Sequence, residues 1–167
     1  MEVVEKNLLF VSEERYNAIT ICLSNLRFEI GAECILLADI CGQLIIKVGL
    51  TEGLDVINLV SLQAGGFATT LEMSKYLGEK TANNLNFHEG ESYDIYSANI
   101  RDTLFMTIIF DHRIQTSRIG MVWLYTKRTI RELLEIIATT DKIKEEQVFD
   151  AEFGTSLRDE LDNIFDS

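Results

Sequence analysis

Two apolar runs of strand length meet across a glycine-containing turn early in this chain, and that hairpin restricts the fold more than any other feature. The runs are 33–39 and 43–48, and Asp39-Ile40-Cys41-Gly42 joins them. A tight turn of this kind reverses the chain and sets the two strands antiparallel. What surrounds it must therefore build on an antiparallel sheet. Ahead of the hairpin, Ile19, Leu23 and Leu26 recur at helical spacing between about Ser12 and Ile30, joined by Tyr16 and Cys22. Ser12 can cap this helix, Glu13 and Glu14 suit its positive end, and Gly31 stops it. After the hairpin a second helix is predicted over 54–77, with Asp55 in its first turn and Gly78 at its end. Residues 79–86 are polar and read as a loop. Three strands are predicted at 92–100, 104–110 and 119–126, on the β-formers Ile95, Tyr96, Ile108, Ile109, Val122 and Trp123. A third helix is predicted over 128–138, with Ile130, Leu133, Leu134 and Ile137 on one face. The order α-β-β-α-β-β-β-α gives an α+β layered domain, with five mostly antiparallel strands and helices on the faces.

Nothing marks an internal domain boundary, since proline and Gly/Ser linkers are absent. One domain is predicted over 1–140, followed by an acidic tail over 141–167. Within 145–167 eight acids face the single base Arg158, so −7 of the formal net charge of −12 lies there. The tail ends in a short amphipathic pattern after Ser156, with Leu157, Leu161, Ile164 and Phe165 on one stripe. A helix this short is unstable alone, so the stripe is expected to bind a partner. The negative charge excludes nucleic acid as a natural partner, because phosphate binding needs a basic surface. No apolar run approaches the roughly 18 residues of a membrane span, so no membrane insertion is expected. The acidic start Met1-Glu-Val-Val-Glu-Lys6 has no signal-peptide pattern, and a cytoplasmic location is expected. Cys22, Cys34 and Cys41 lack metal-type spacing and sit among apolar neighbours.

Signatures of chemistry are missing. There is no phosphate loop, dinucleotide fingerprint, zinc-protease helix or nucleophile elbow. His88-Glu89-Gly90-Glu91 reads as a solvated strand entry rather than a metal site, and Cys34 and Cys41 have no evident base. The expectation is a protein without catalytic residues, metal or cofactor. Ser61, Ala64, Gly65 and Ala68 fall at i, i+3, i+4 and i+7, which predicts one smooth face on the second helix, with Val60, Phe67 and Leu71 opposite. Gly65 and Gly66 each cost about 1 kcal/mol relative to alanine in a helix. A close contact with the protein's own sheet or with another chain's backbone would offset that. Tyr93, Ile95 and Tyr96 lie on a strand read either as core or as an edge that pairs with a second copy.

Four segments taken in order resemble the roadblock/LC7 family: Asp39-Ile-Cys-Gly42-Gln43-Leu44-Ile45, Ser61-Leu-Gln-Ala64-Gly65, Phe87-His88-Glu89-Gly90 and Ile109-Phe110-Asp111. The ending Asp162-Asn163-Ile164-Phe165 is similar to that of the family's bacterial polarity and gliding-motility branch. The resemblance covers about residues 10 to 140 and implies a profilin-like or longin-like sandwich with a five-stranded antiparallel sheet. It also implies a homodimer in which third strands pair and second helices lie side by side. The partner implied is a Ras-like small GTPase in its GTP state, sitting on the helix pair. On this reading Ser61, Ala64, Gly65, Ala68 and Glu72 form the GTPase or dimer face, Glu72 standing where a small residue is expected. Tyr93, Ile95 and Tyr96 form the dimer strand, and Leu157, Leu161, Ile164 and Phe165 engage a partner. The resemblance implies that GTP hydrolysis is accelerated by reshaping the GTPase, without an arginine finger, and it leaves room for an effect on nucleotide exchange. A non-catalytic scaffold or light-chain-like adaptor is the alternative, and a small-molecule sensor module a third.

Overall fold

The computed structural model describes residues 12–79, 85–101, 103–114 and 118–139. The tail stripe of Leu157, Leu161, Ile164 and Phe165 and the 141–167 segment lie outside the described residues. Helix α1, Glu13–Ile30, begins at Ser12, whose side chain accepts from the Arg15 N–H at 3.2 Å. It ends at Gly31, whose φ of 69° is the left-handed cap conformation. Strands β1, Cys34–Asp39, and β2, Leu44–Gly49, form the hairpin. Its turn is held by one Asp39 carboxylate oxygen, which accepts from the Cys41 and Gln43 N–H groups at 2.9 Å each. Helix α2 is Val56–Tyr76, capped by Asp55, which accepts from the Asn58 N–H at 3.2 Å. Then come β3, Leu85–Glu89, β4, Tyr93–Arg101, and β5, Leu104–Asp111. Helix α3 covers 119–139.

All the strand pairs are antiparallel, and the sheet order is β2-β1-β5-β4-β3. Since β2 and β3 occupy opposite edges, α2 must cross the face of the sheet to connect them. Cys34, Leu36, Ala38, Phe105 and Ile109 point to that face and bury Val56, Val60, Ala64 and Phe67 of α2. The Phe67 and Phe105 rings meet at 4.9 Å. On the other face Ile35, Leu37, Tyr96, Met106, Ile108 and Phe110 pack against Ile19, Leu23 and Leu26 of α1 and Val122, Leu133 and Ile137 of α3. Every residue of β1 and β5 is buried, because both faces are covered by helices. Burial of each large side chain here contributes about 1.5–3 kcal/mol.

The α+β architecture with five antiparallel strands agrees with the sequence, but two of its elements do not. Residues 119–126 are the first two turns of α3, not a strand. Their core-facing members, Val122 and Thr126, continue as Thr129, Leu133 and Ile137, a single helical stripe. Tertiary burial of that stripe overrides the β preference of valine, tryptophan and tyrosine. The fifth strand is instead β3, whose first residues fall in the segment expected to be a loop. It is an edge strand with little to bury, so its apolar signal is only Leu85 and Phe87.

Candidate interaction face on helix α2 and strand β3

Helix α2 is amphipathic in an unusual way: its buried stripe faces the sheet, yet its outer side is also largely uncharged. Leu62, Gly65, Gly66, Thr69, Met73 and Tyr76 recur at helical spacing on the side away from the sheet, and Leu62 and Tyr76 are 75% and 84% exposed. Among the described residues, a methyl group added to Gly65 or Gly66 would meet no atom within 4 Å outside the helix's own backbone. Packing on the protein's own sheet therefore does not explain either glycine. The hydroxyls nearby are satisfied inside the helix. Thr69 and Thr70 donate to the Gly65 and Gly66 carbonyls at 3.0 Å each. The outer face consequently presents few donors that need water, and contacting another surface costs it little desolvation.

The smooth face expected from Ser61, Ala64, Gly65 and Ala68 is divided by the fold. Ala64 is buried with Val60 and Phe67, while Ser61, Gly65 and Ala68 are exposed. Leu71, expected on the far side with those core residues, is half exposed, while Ser74 one turn on is buried. Ser61 also has a local reason to be small: a methyl group on Gly42 would lie 2.9 Å from its Cα, so the hairpin turn and α2 touch backbone to backbone. Glu72 is exposed and forms a 2.8 Å ion pair with Lys75, which neutralises its charge on the face.

The reading of Tyr93, Ile95 and Tyr96 as an edge is overturned by the sheet order. They lie on β4, which is paired with β5 on one side and β3 on the other. Tyr96 is a core residue whose ring sits 4.6 Å from that of Phe87 and 5.5 Å from those of Phe110 and Trp123. Tyr93 is half buried against the α2 core, and Ile95 is half buried opposite His88. The open edge on this side of the molecule is β3, where Leu85 and Phe87 are part exposed. Alternation of Leu85 and Phe87 was the signal that could have located it.

The remaining chemistry-bearing groups are occupied structurally or scattered. Burial pushes the Cys22 and Cys34 thiols up to about 12, the Glu132 carboxylate adding to the effect at Cys22 and Glu33 at Cys34. Neither is available as a thiolate. Cys41 is exposed in the hairpin turn. Among the described residues, no three His, Cys, Asp or Glu side chains converge as metal ligands. Of the loop arginines, Arg113 grips Asp111 through Nε at 2.9 Å and Nη2 at 2.6 Å, and donates to the Tyr93 hydroxyl at 3.2 Å. These hydrogen bonds hold the Asp111 carboxyl below its usual range and raise the arginine further. His112 Nε2 lies 2.6 Å from Asp94 Oδ1. Arg118 is exposed just ahead of α3. Among the described residues, no helix is long and apolar enough to cross a membrane.

No protein-family model and no curated protein sequence matched the chain. Solved structures did. Myxococcus xanthus MglB is 30% identical with a TM-score of 0.65, over 72% of this chain and 95% of that one. The gliding protein MglB of Thermus thermophilus is 24% identical with a TM-score of 0.67, over 77% and 95%. A roadblock/LC7 domain from Streptomyces avermitilis shares the fold at 9% identity and a TM-score of 0.62, over 71% and 97%. With the antiparallel sheet, the crossing helix α2 and this likeness together, the chain belongs to the roadblock/LC7 family and within it resembles MglB.

Proposed function

We propose that this protein is a homodimeric regulator of a Ras-like small GTPase of the MglA type, accelerating GTP hydrolysis in a partner rather than running a reaction of its own. The observation that carries the reading is the outer face of α2, a largely uncharged strip with two open glycines, taken together with β3, which among the described residues pairs only with β4. Two copies joined through β3 would extend the sheet, because an edge strand leaves a row of backbone groups unpaired. The same operation would set the α2 helices side by side, and the glycines would let them approach closely. Gly65, Ala68 and the neutralised Glu72 would then lie on the platform that receives the GTPase, with the Leu157, Leu161, Ile164 and Phe165 stripe as a second point of attachment. Catalytic help would come from reshaping the GTPase so that its own residues reach the phosphates. The engagement of Arg113 by Asp111 supports a mechanism without an inserted arginine.

The test is hydrolysis of GTP by the cognate GTPase, with and without this protein, and binding to its GTP and GDP forms. Acceleration together with GTP-selective binding is expected. Binding indifferent to nucleotide, with no acceleration, would replace this reading with that of an adaptor.

A further inference from the structure

The chain carries a formal net charge of −12, yet its stretch 113–131 holds Arg113, Arg118, Lys127, Arg128 and Arg131 with no acid among them. Two of these five are engaged. Arg113 is bound by Asp111, and Arg128 is bracketed by Glu29 and Glu132, which ties α3 to α1. Lys127 and Arg131 are exposed and have no ion pair among the described residues. They fall at i+3 and i+7 from Leu124, on the side of α3 opposite its buried stripe, and Leu124 is 65% exposed. One turn along α3 from Leu124, Arg128 lines a groove of about 350 Å³ shared with α1, and Phe28 stands at its mouth 87% exposed. The outer side of the α1/α3 layer thus offers two exposed apolar side chains and two cations without an ion pair among the described residues, with Glu29, Glu132 and Glu135 as the acids around them.

We propose that the occupant of this surface is the chain's own acidic ending, residues 156–165, docking in cis along α3. Its stripe of Leu157, Leu161, Ile164 and Phe165 would sit on Leu124 and Phe28, while Asp159, Glu160 and Asp162 would meet Lys127 and Arg131. The charges are complementary and the length is right. From residue 139 back to Lys127 is about 18 Å at 1.5 Å per helical residue. The sixteen residues 140–155 suffice to cover that distance, since even six residues of extended chain at about 3.3 Å each would reach it. A segment tethered within reach of its site meets it at an effective concentration up to the millimolar range, so even weak contacts are populated. Docking stores the tail on the face opposite α2 and holds its apolar stripe away from other proteins until a better partner competes. The proposal does not depend on the GTPase reading, since its readout is contact within one chain.

The experiment uses the full chain at low salt, alone. Hydrogen exchange of the amides in 156–165 is compared between wild type and the double variant Lys127→Glu/Arg131→Glu, whose positions are exposed and leave the core intact. Exchange at least tenfold slower in wild type is expected, lost in the variant and at about 0.5 M salt, where the screening length falls to a few ångström. Carbodiimide coupling should join Lys127 to Asp159, Glu160 or Asp162. In an equal mixture of isotope-labelled and unlabelled protein those products should be unmixed. Mixed products would give the surface to another copy's tail and overturn docking in cis. Equal protection in wild type and variant would place the tail elsewhere. Unprotected amides in wild type would also sink the proposal, and co-sedimentation with phosphatidylserine vesicles in that case would assign the basic face to a membrane.

Discussion

At the scale of single residues, the fold rests on a few positions where chemistry leaves little choice. Gly42 has a φ of 84° and its missing Cβ is the space that Ser61 occupies. Gly42→Ala forces a left-handed alanine, at about 1–2 kcal/mol, and adds a backbone collision on top. Chemical denaturation should show a loss of at least that size, and an unchanged midpoint would mean that hairpin and helix do not touch there. The Asp111–Arg113 pair makes a prediction about pH. The guanidinium holds the Asp111 carboxyl below its ordinary value, so the folded state favours the ionised form. Stability from a depressed carboxylate is complete above the unfolded value of about 3.9 and is lost as pH falls through the lowered folded one. Arg113→Ala should therefore melt below wild type at neutral pH, with the gap closing as the pH drops beneath about 4. A gap that stayed constant to pH 2 would show that the arginine acts through packing alone. In the GTPase assay, Arg113→Ala and Arg118→Ala should each leave stimulation within about tenfold, since an inserted arginine is worth about 10³–10⁵. Collapse to the intrinsic rate for either variant would identify a finger.

At the scale of elements, α2 poses a question of sign. In an exposed helix with open space around it, Gly→Ala stabilises by about 1 kcal/mol. Among the described residues, nothing outside the helix's own backbone lies within 4 Å of a methyl group at Gly65 or Gly66. Gly65→Ala/Gly66→Ala should therefore leave the fold of the single chain as stable or more so. If those glycines meet a second helix, the same change should raise the dimer dissociation constant at least tenfold, measured by sedimentation across a dilution series. A tighter or unchanged dimer would place the contact elsewhere. The elements that differ from the sequence reading show why local signals stop where they do. Residues 119–126 contain β-branched and aromatic side chains, and eight residues are too few to separate a period of 2 from one of 3.6. Only the continuation from Val122 and Thr126 to Thr129, Leu133 and Ile137 discloses the helix. β3 buries so little that its sequence resembles a loop, and pairing with β4 is what makes it a strand.

At the scale of the whole molecule, the proposed dimer is the assembly to test first. Light scattering at micromolar concentration should give about twice 19.0 kDa, and a monomer would remove the platform. Ala68→Arg separates two roles for the exposed part of α2. Loss of the dimer would assign position 68 to the other subunit, whereas a dimer that no longer binds the GTPase would assign it to the partner. Much of this organisation was legible in the chain: the capped first helix, the glycine hairpin, the long second helix, the acidic charge balance and the family resemblance. The cap, the hairpin and the helices depend on neighbours in sequence, where caps, turns and periodicity act within a few residues. The order of strands across the sheet is a different matter, because pairing joins residues far apart in the chain. That order put Tyr93, Ile95 and Tyr96 inside the sheet and left β3 at its edge. It likewise sent α2 across one face, which buried Ala64 and turned Gly65 outward, although the two are adjacent in sequence and similarly small. Spacing predicted a run of small residues along α2; only long-range packing against β1 and β5 decided which of them remain for another molecule to touch.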